Sequence, residues 1–291
     1  MTLADKVYNL RHEARRVGQT TKTFDNWSDL LKQMAAQRVG RGAGELTFRV
    51  KGGPTLTVPN VPGARLAIYE QFADDSYQLP ELLAPLLDRP IHALDIGAHV
   101  GSFAINLARL HPRATVECFE PSPDSAAYLR RNVADNGLNA RITVHETALS
   151  DSVGTALLDD NSGGSVHNGL IQASGERMVD GTESLATRHA IEVPTVTFDD
   201  VVKAAASPPV VVKLDCEGGE YPLVYASSPS SWDSVERIVM EYHRVDGESW
   251  DELGAWFAEV GLHVVRHESV APRTGTAWLS RSPSRTRKAV K

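Results

Sequence analysis

The chain has 291 residues, of which 42% are hydrophobic and 23% are charged, as is typical of a globular protein. Its formal net charge of −7 disfavours nucleic acid as a partner, because phosphate-binding surfaces are usually basic. No apolar run reaches the length of a membrane span, and the N-terminus lacks the apolar core of a signal peptide. We therefore expect a cytoplasmic protein that has neither nucleic acid nor a membrane as a partner.

Residues 1–85 predict an N-terminal extension made of helices and a short hairpin. Apolar side chains at helical spacing indicate two amphipathic helices, over residues 3–17 and 24–38. Two strand-like stretches within residues 46–58 flank a glycine-containing turn, which indicates the hairpin. The aromatic-rich stretch that follows contains Tyr77, which either packs in a connector or forms a wall of a cofactor pocket.

Strand and helix patterns alternate from residue 91 onwards, which predicts an α/β fold with a mostly parallel sheet covered on both faces. The predicted strands are 91–96, 115–119, 142–148, 153–158, 192–196, 210–214, 236–240, 263–266 and 276–279, and the predicted helices are 100–110, 123–136, 198–206 and 249–260. The main domain is expected to span residues 86–280. Within it, residues 159–190 have no clear period and are expected to form a mobile insertion or lid. Residues 281–291 are expected to form a basic, disordered tail.

The first strand-to-helix connection has the pattern of a nucleoside-binding loop. Asp95 ends a strand, and Gly97 and Gly101 remove side chains where the backbone approaches a ligand. Glu120 ends the next strand, about twenty residues further on, where an acid binds ribose hydroxyls. His99 occupies the position at which a dinucleotide requires glycine for its pyrophosphate. The loop therefore favours S-adenosylmethionine, which has no phosphate, over a nicotinamide or flavin dinucleotide.

A second group of polar residues follows two later strands. Lys213, Asp215 and Glu217 lie at or just after the end of one strand, and Glu241 and His243 end another. Ligands bind at the carboxyl edge of open α/β sheets, so this group is expected to face the nucleoside loop. Glu217 is alternatively a capping residue of the next helix, where the dipole favours an acid.

Six short motifs in this order resemble those of the FkbM family of S-adenosylmethionine-dependent methyltransferases. They are LDIGAHVG (94–101), FEPSP (119–123), ALSD (148–151), TFDD (197–200), KLDCEGGE (213–220) and EYH (241–243), within a resemblance that covers about residues 65–270. The resemblance implies a Rossmann-like, seven-stranded class I methyltransferase sheet whose last strand is antiparallel. It also implies O-methylation of a hydroxyl of a small molecule, such as a natural product, a sugar or a lipid. His99 departs from the family's loop, in which asparagine is expected.

With this resemblance, S-adenosylmethionine is expected to lie along the ends of the first strands. The expected cofactor-binding residues are Asp95, Gly97, Ala98, Gly101, Glu120, Thr147, Ala148 and Tyr77. The glycine loop is assigned to the methionine part of the cofactor, with Asp95 at its amino group, and Glu120 is assigned to the ribose. Thr147 and Ala148 are expected to flank the adenine.

Methyl transfer to an alcohol needs a general base or a metal ion to deal with the hydroxyl proton. His243 is the preferred base, since imidazole titrates near neutrality. Asp215 and Glu241 either orient this histidine or, together with Glu217, hold a divalent cation such as Mg2+. Lys213 is either a charge partner of Asp215 or a strand residue that extends its charge towards solvent.

Other functions stay open at this point. A carboxyl acceptor would give a methyl ester, a nucleotide-dependent oxidoreductase or epimerase would use another cofactor, and a non-catalytic module would bind S-adenosylmethionine without turnover. For an enzyme, the partner is a small-molecule acceptor, and a homo-oligomer is compatible with the sequence.

Overall fold

The computed structural model describes residues 14–37, 39–159, 170–171, 190–271 and 273–281. Most of the predicted helix over residues 3–17, most of the expected insertion 159–190 and nearly all of the expected tail 281–291 lie outside the described residues.

The elements follow each other much as the sequence patterns predict. The helices are α1 (residues 14–23), α2 (Trp27–Gln37), α3 (Pro62–Tyr69), α4 (Leu79–Leu83), α5 (Ser102–Leu110), α6 (Pro123–Asp135), α7 (Phe198–Ala204), α8 (Glu220–Ala226) and α9 (Trp250–Glu259). The strands are β1 (Glu45–Arg49), β2 (Thr55–Pro59), β3 (Ile91–Ile96), β4 (Ala114–Phe119), β5 (Ile142–His145), β6 (Ala148–Leu149), β7 (Gly154–Asp159), β8 (Leu170–Ile171), β9 (Ala190–Val196), β10 (Val211–Leu214), β11 (Arg237–Tyr242), β12 (His263–Ala271) and β13 (Thr274–Ser280). A π-helical turn over Glu70–Asp74 continues α3.

The central sheet has seven strands in the order β12-β13-β11-β10-β3-β4-β5. Neighbouring strands from β11 to β5 pair in parallel. Strand β13 runs antiparallel to both of its neighbours, β11 and β12. The Rossmann-like, mostly parallel sheet with an antiparallel last strand is therefore confirmed.

The parallel strands are apolar because both faces of the sheet are covered. Every residue of β3 and of β10 is buried, as expected for central strands between two helical layers. One layer packs Phe103 and Leu129 against the sheet, and the other packs Phe198 and Phe257. This burial fixes the carboxyl ends of β3 and β10 side by side.

The N-terminal segment packs into the same core as one face of the sheet. Strands β1 and β2 form the expected antiparallel hairpin. The buried Asn132 of α6 holds the hairpin, since its side chain accepts a hydrogen bond from the Thr57 amide at 2.7 Å and donates one to the Thr57 carbonyl at 3.0 Å. Edge-to-face contacts join Phe48 to Phe24 and Tyr69, with ring centroids 5.0 and 6.0 Å apart. These contacts pack the hairpin against α3.

A second sheet forms beside the first, in the order β6-β9-β7-β8. The prediction of one strand over residues 142–148 is wrong, because β5 ends at His145 and β6 pairs in parallel with β9 instead. The Thr147 hydroxyl, which lies between the two strands, donates to the Pro194 carbonyl at 2.9 Å and so ties the chain to β9. The small sheet brings β6 and β7 to the edge of the cavity described below.

Among the described residues, none of the helices has both the length and the apolar character that crossing a bilayer requires.

Candidate active site

One cavity of about 290 Å³ opens at the carboxyl edge of the central sheet. Its wall includes Gly97, Ala98, Glu120, Lys213, Asp215, Glu217, Glu241 and His243, which follow or end four different strands. Residues of α3, of the π-helical turn and of the small sheet close the sides. The two polar groups singled out in the sequence therefore face the same space, as expected.

The loop between β3 and α5 approaches its neighbours too closely for side chains at two positions. Gly97 has a φ of 76°, and a Cβ there would overlap the carbonyl oxygen of Asp215. Gly101 has a φ of 85° and is the N-cap of α5, and a Cβ there would overlap the side chain of Leu129. His99 adopts the left-handed region at φ 49° although it has a side chain. The glycines thus allow the loop to lie directly against β10 and α6.

Glu120 is tied to this loop and is almost fully buried. Its carboxylate accepts hydrogen bonds from the backbone amides of His99 at 2.7 Å and Ser122 at 3.0 Å. Burial nevertheless raises the pKa of Glu120 to about 7, because desolvation outweighs these two bonds. The carboxyl group therefore changes its charge close to neutral pH.

Lys213 connects the loop between β3 and α5 to the end of β10. Its Nζ donates to the Gly97 carbonyl at 2.6 Å and lies 3.2 Å from Asp215 Oδ2 and 3.5 Å from Asp95 Oδ1. Burial alone lowers the pKa of Lys213, but the carboxylates of Asp215 and Asp95 outweigh this and raise it. Lys213 is thus a permanent cation and the charge partner of Asp215.

Three of the expected cofactor residues, Asp95, Gly101 and Thr147, do not line the cavity. Asp95 is fully buried beneath the loop, where burial raises its pKa and Lys213 is its nearest charge. Thr147 is half-buried, and its hydroxyl donates to the Pro194 carbonyl. Ala148, which follows it, does line the cavity, as do Leu149 and Leu158 of the small sheet.

Tyr77 reaches the centre of the cavity wall from the N-terminal segment. Its hydroxyl lies 3.0 Å from Asp215 Oδ2 and 2.8 Å from Glu241 Oε1, so it bridges the two carboxylates. Its ring packs edge-to-face on Phe103, and its carbonyl accepts a hydrogen bond from the Trp278 indole at 2.8 Å. Burial, followed by these two acids, raises the pKa of Tyr77 well above its usual value. Tyr77 therefore stays protonated and joins the ends of β10 and β11.

His243 lies between the carboxylates of Glu217, in the turn before α8, and Glu220, the first residue of α8. Its Nδ1 is 3.1 Å from Glu220 Oε1, and its Nε2 is 3.6 Å from Glu217 Oε2. Burial lowers the pKa of His243, but Glu220 and Glu217 more than offset this and raise it to about 10. Glu220, rather than Asp215 or Glu241 as expected, orients the ring. The imidazole is therefore positively charged at neutral pH.

The pKa values of Asp215 and Glu241 shift in opposite directions. Burial raises the pKa of Asp215, but Lys213 and His243 outweigh it and the net shift is downward. Burial, and then repulsion from Asp215 and Glu70, raises the pKa of Glu241 to about 8. Asp215 is thus the ionised member of the pair that Tyr77 bridges.

The acids do not group for metal binding in the expected way. Among the described residues, Asp215, Glu241 and His243 offer one ligand atom each within 4.8 Å of one another. Glu217, which was expected to be a ligand, instead faces the ring of His243.

Glu70, in the π-helical turn, is a cavity residue that the sequence did not indicate. Burial and repulsion from Asp215 raise its pKa to about 7. Its position depends on the π-helical turn, which has no recognisable sequence pattern. The only sequence signal for a cavity residue here is the acid-rich composition of the stretch.

Comparisons with known proteins agree with this arrangement. The family model described as "Methyltransferase FkbM domain" matches residues 95–264, which is more than half of the chain. The 31-O-demethyl-FK506 methyltransferase FkbM of Streptomyces tacrolimicus is 25% identical over 221 residues, which cover 69% of this chain and 83% of that protein. The 2-O-methyltransferase NoeI of Sinorhizobium fredii is 38% identical over 80 residues, which cover 27% of this chain and 32% of that protein.

Solved structures with a similar backbone include magnesium protoporphyrin IX methyltransferase from Synechocystis PCC 6803 with bound S-adenosylmethionine. Its identity is 12%, its TM-score is 0.43, and the match covers 76% of this chain and 82% of that one. The family match begins at the last strand residues before the glycine loop and ends in β12, so it spans both polar groups of the cavity. The chain therefore belongs to the FkbM methyltransferase family and is an S-adenosylmethionine-dependent methyltransferase.

Proposed function

We propose that the protein transfers the methyl group of S-adenosylmethionine to a hydroxyl oxygen of a small molecule such as a natural product or a sugar. The observation that carries this proposal is the shared cavity, which joins the glycine loop to Asp215, Glu241 and His243. The relatives support the choice of oxygen, since one is named as a 2-O-methyltransferase and another as a 31-O-demethyl-FK506 methyltransferase.

The cofactor is assigned to the side of the cavity formed by β3, β4 and the small sheet. Glu120 receives the ribose hydroxyls, and the backbone of Gly97 and Ala98 receives the methionine part. Ala148 and Leu149 offer an apolar surface to the adenine. This placement directs the sulfonium methyl group towards Asp215, because Gly97 and Asp215 are in backbone contact.

The hydroxyl proton has three acceptors within reach in this proposal, Asp215, Glu241 and His243. His243 was preferred from the sequence, but the carboxylates beside it keep its ring protonated at neutral pH. We therefore assign the base to Asp215, whose carboxylate is ionised. When no metal ion is bound, the protonated ring of His243 supplies a positive charge that stabilises the developing alkoxide. A divalent cation such as Mg2+ at the same carboxylates is the alternative way to acidify the hydroxyl.

Methyl transfer is an in-line displacement at carbon, so the remaining task of the protein is alignment and exclusion of water. The methyl carbon forms a bond to the acceptor oxygen while its bond to sulfur breaks, and the sulfur keeps the electron pair as neutral S-adenosylhomocysteine. The hydroxyl proton passes to Asp215. Leu66 and Ala67 of α3 close one side of the cavity and limit the access of water.

A carboxyl acceptor is disfavoured by the charge of the acceptor side. The ionised Asp215 and the partly ionised Glu70 line the cavity and would repel an anionic substrate. The family membership assigns methyl transfer, so an oxidoreductase or a non-catalytic module no longer accounts for the chain.

The proposal is tested by incubating the full chain with methyl-labelled S-adenosylmethionine and a panel of acceptors. The panel contains a macrolide with free hydroxyls, a methyl glycoside and a long-chain fatty acid. We expect labelled product only with a hydroxyl acceptor, and that label should resist mild alkali because it is an ether. A label released as methanol by mild alkali would identify a methyl ester and overturn the proposal.

A further inference from the structure

Asp215, Glu241 and His243 bring three potential metal ligands to one point of the cavity wall. One atom of each lies within 4.8 Å of the others. Two ligands of one divalent ion are at most about 4–5 Å apart, given metal–oxygen distances of roughly 2.0–2.6 Å. Two carboxylate oxygens and one imidazole nitrogen are therefore close enough together to converge on a single ion.

The two carboxylates are held from one side only. Tyr77 contacts Oδ2 of Asp215 and Oε1 of Glu241, and Lys213 also contacts Oδ2 of Asp215. The second oxygen of each acid, Oδ1 of Asp215 and Oε2 of Glu241, has no hydrogen-bond partner in the part of the chain that the structure describes. Each acid is thus fixed in place and keeps one oxygen for a ligand.

The histidine is held in the same manner from behind. Its Nδ1 meets the fully buried Glu220, whose carboxylate is fixed by the backbone amides of Cys216 at 2.8 Å and Gly218 at 2.9 Å. A metal-bound histidine usually has its other ring nitrogen fixed by such a carboxylate. Nε2, which lies 3.6 Å from Glu217 Oε2, is therefore the nitrogen that would bind an ion, and binding would release its proton.

The cavity wall is also short of positive charge. Lys213 and His243 are two cationic side chains that line it, and each already contacts two carboxylates. Within the described ranges, neither Glu70 nor Glu241 has a basic side chain within ion-pair distance. A divalent cation would supply the missing charge where the acids converge.

We propose that Asp215, Glu241 and His243 bind a divalent transition-metal ion, with Mn2+ preferred over Mg2+. Mg2+ favours oxygen ligands alone, whereas an imidazole nitrogen suits first-row transition ions. His243 thus takes the place of Glu217 in the set expected from the sequence. The proposal deepens the proposed function and rests on it for its role, which is to polarise the acceptor hydroxyl beside the cofactor.

The test measures binding of Mn2+ to the full chain after removal of metals with a chelator. Free Mn2+ gives an electron paramagnetic resonance signal that decreases on binding, so turnover is not needed. We expect one saturable site per chain in the wild type. His243→Asn and Glu241→Gln should each weaken Mn2+ binding by at least tenfold, and Glu220→Gln should weaken it by about 10–100-fold because it frees the ring.

The matched control is His145→Asn. His145 also contacts a carboxylate, Glu117, with Nε2 3.0 Å from Oε2, but it lies outside the cavity wall. This variant should bind Mn2+ like the wild type, and S-adenosylhomocysteine binding verifies that every variant is folded. Loss of Mn2+ binding in the control, or a site that survives both His243→Asn and Glu241→Gln, would overturn the proposal.

A second measurement uses the wild type alone and does not depend on how the variants fold. Electron spin-echo modulation of bound Mn2+ should show a coupled nitrogen-14 nucleus from the imidazole. No saturable site, or a saturable site without this coupling, would reject the proposed ligand set.

The two proposals fail in distinguishable ways. Ether formation by a chain that binds no Mn2+ would remove the metal and leave O-methylation standing. Ester formation by a chain that binds Mn2+ at these residues would overturn the proposed hydroxyl acceptor and leave the metal site standing.

Discussion

At the scale of single residues, we expect Glu120 to couple cofactor binding to pH. Burial raises its pKa to about 7, and ribose hydroxyls donating to it would stabilise the ionised form. Below pH 7 the carboxyl group must first lose a proton, whereas above pH 7 it is already ionised. We expect the dissociation constant of S-adenosylhomocysteine, measured by titration calorimetry, to rise about tenfold between pH 8 and pH 6.

The variant Glu120→Gln is the control for this prediction. It removes the titrating group and replaces a charged acceptor by a neutral one, so binding at pH 8 should weaken by about 1.5–3 kcal/mol. The pH dependence of binding should flatten in the same variant. If the variant keeps the full pH dependence, Glu120 is not the group responsible.

Tyr77 joins two acids that would otherwise repel each other. Tyr77→Phe keeps the ring against Phe103 but removes the hydroxyl between Asp215 and Glu241. We expect kcat/KM for the accepted hydroxyl substrate to fall roughly 10–100-fold, since hydrogen bonds to charged groups contribute about 1.5–3 kcal/mol. The affinity for S-adenosylhomocysteine should change little.

Tyr128→Phe is the matched control, because its hydroxyl also meets a carboxylate, Glu45 at 3.0 Å, but on the surface. Its activity should equal that of the wild type. Equal activity of Tyr77→Phe and Tyr128→Phe would show that the bridge has no role in the reaction.

The site residues differ in how far the sequence alone could locate them. Gly97 and Glu120 could be predicted because strand, loop and helix follow each other over a short stretch, and their spacing has a physical meaning. Tyr77 could be predicted only as a possible wall residue of the cofactor pocket. Its contact with Asp215 could not be predicted, since the two residues are 138 positions apart in the chain. The partner of His243 was mistaken for the same reason, because Glu220 and His243 are neighbours only in the folded sheet.

At the scale of elements, the loop between β3 and α5 tolerates no side chain at Gly97. Gly97→Ala would place a Cβ on the carbonyl oxygen of Asp215, in a backbone conformation with positive φ. We expect a loss of at least about 2 kcal/mol in the free energy of unfolding, measured with urea, because strain and overlap combine. Cofactor binding should be lost or strongly weakened with it.

A helical glycine gives the comparison for this loop. Gly18 in α1 has no neighbour within 4 Å of an added Cβ. Gly18→Ala should therefore stabilise the chain by roughly 0.5–1 kcal/mol. If both variants change stability in the same direction, close approach is not what requires glycine at position 97.

Element types could be predicted over most of the sheet, because central strands are continuous apolar runs and amphipathic helices separate them. The run from Ile142 to Ala148 misled this prediction. Its apolar pattern continues across a point where the chain leaves β4 and pairs with β9 instead. Such a change of partner depends on Ala190–Val196, which lies far along the chain, and leaves no mark on local periodicity.

At the scale of the whole molecule, the N-terminal segment and the sheet share a hydrophobic core. We propose that residues 1–85 and 86–280 unfold together, although composition and pattern divide them. Asn132 carries part of this coupling, since it bonds to Thr57 of the hairpin and also donates to the Val100 carbonyl of the loop between β3 and α5 at 2.9 Å.

Phe48→Ala, in the hairpin, tests this coupling. Phe48 is fully buried in the hairpin and packs on Tyr69 of α3, and neither of these residues lines the cavity. The change should cost about 3–5 kcal/mol in the free energy of unfolding and lower the melting temperature by roughly 5–15 °C. If the chain is one cooperative unit, calorimetry should show a single unfolding transition, whose midpoint temperature falls in Phe48→Ala and rises when S-adenosylhomocysteine binds.

Val39→Ala, at a side chain that is 69% exposed, is the control and should leave the midpoint temperature unchanged. Two separate transitions in calorimetry, with only the ligand-insensitive one lowered by Phe48→Ala, would mean that the extension folds as an independent unit.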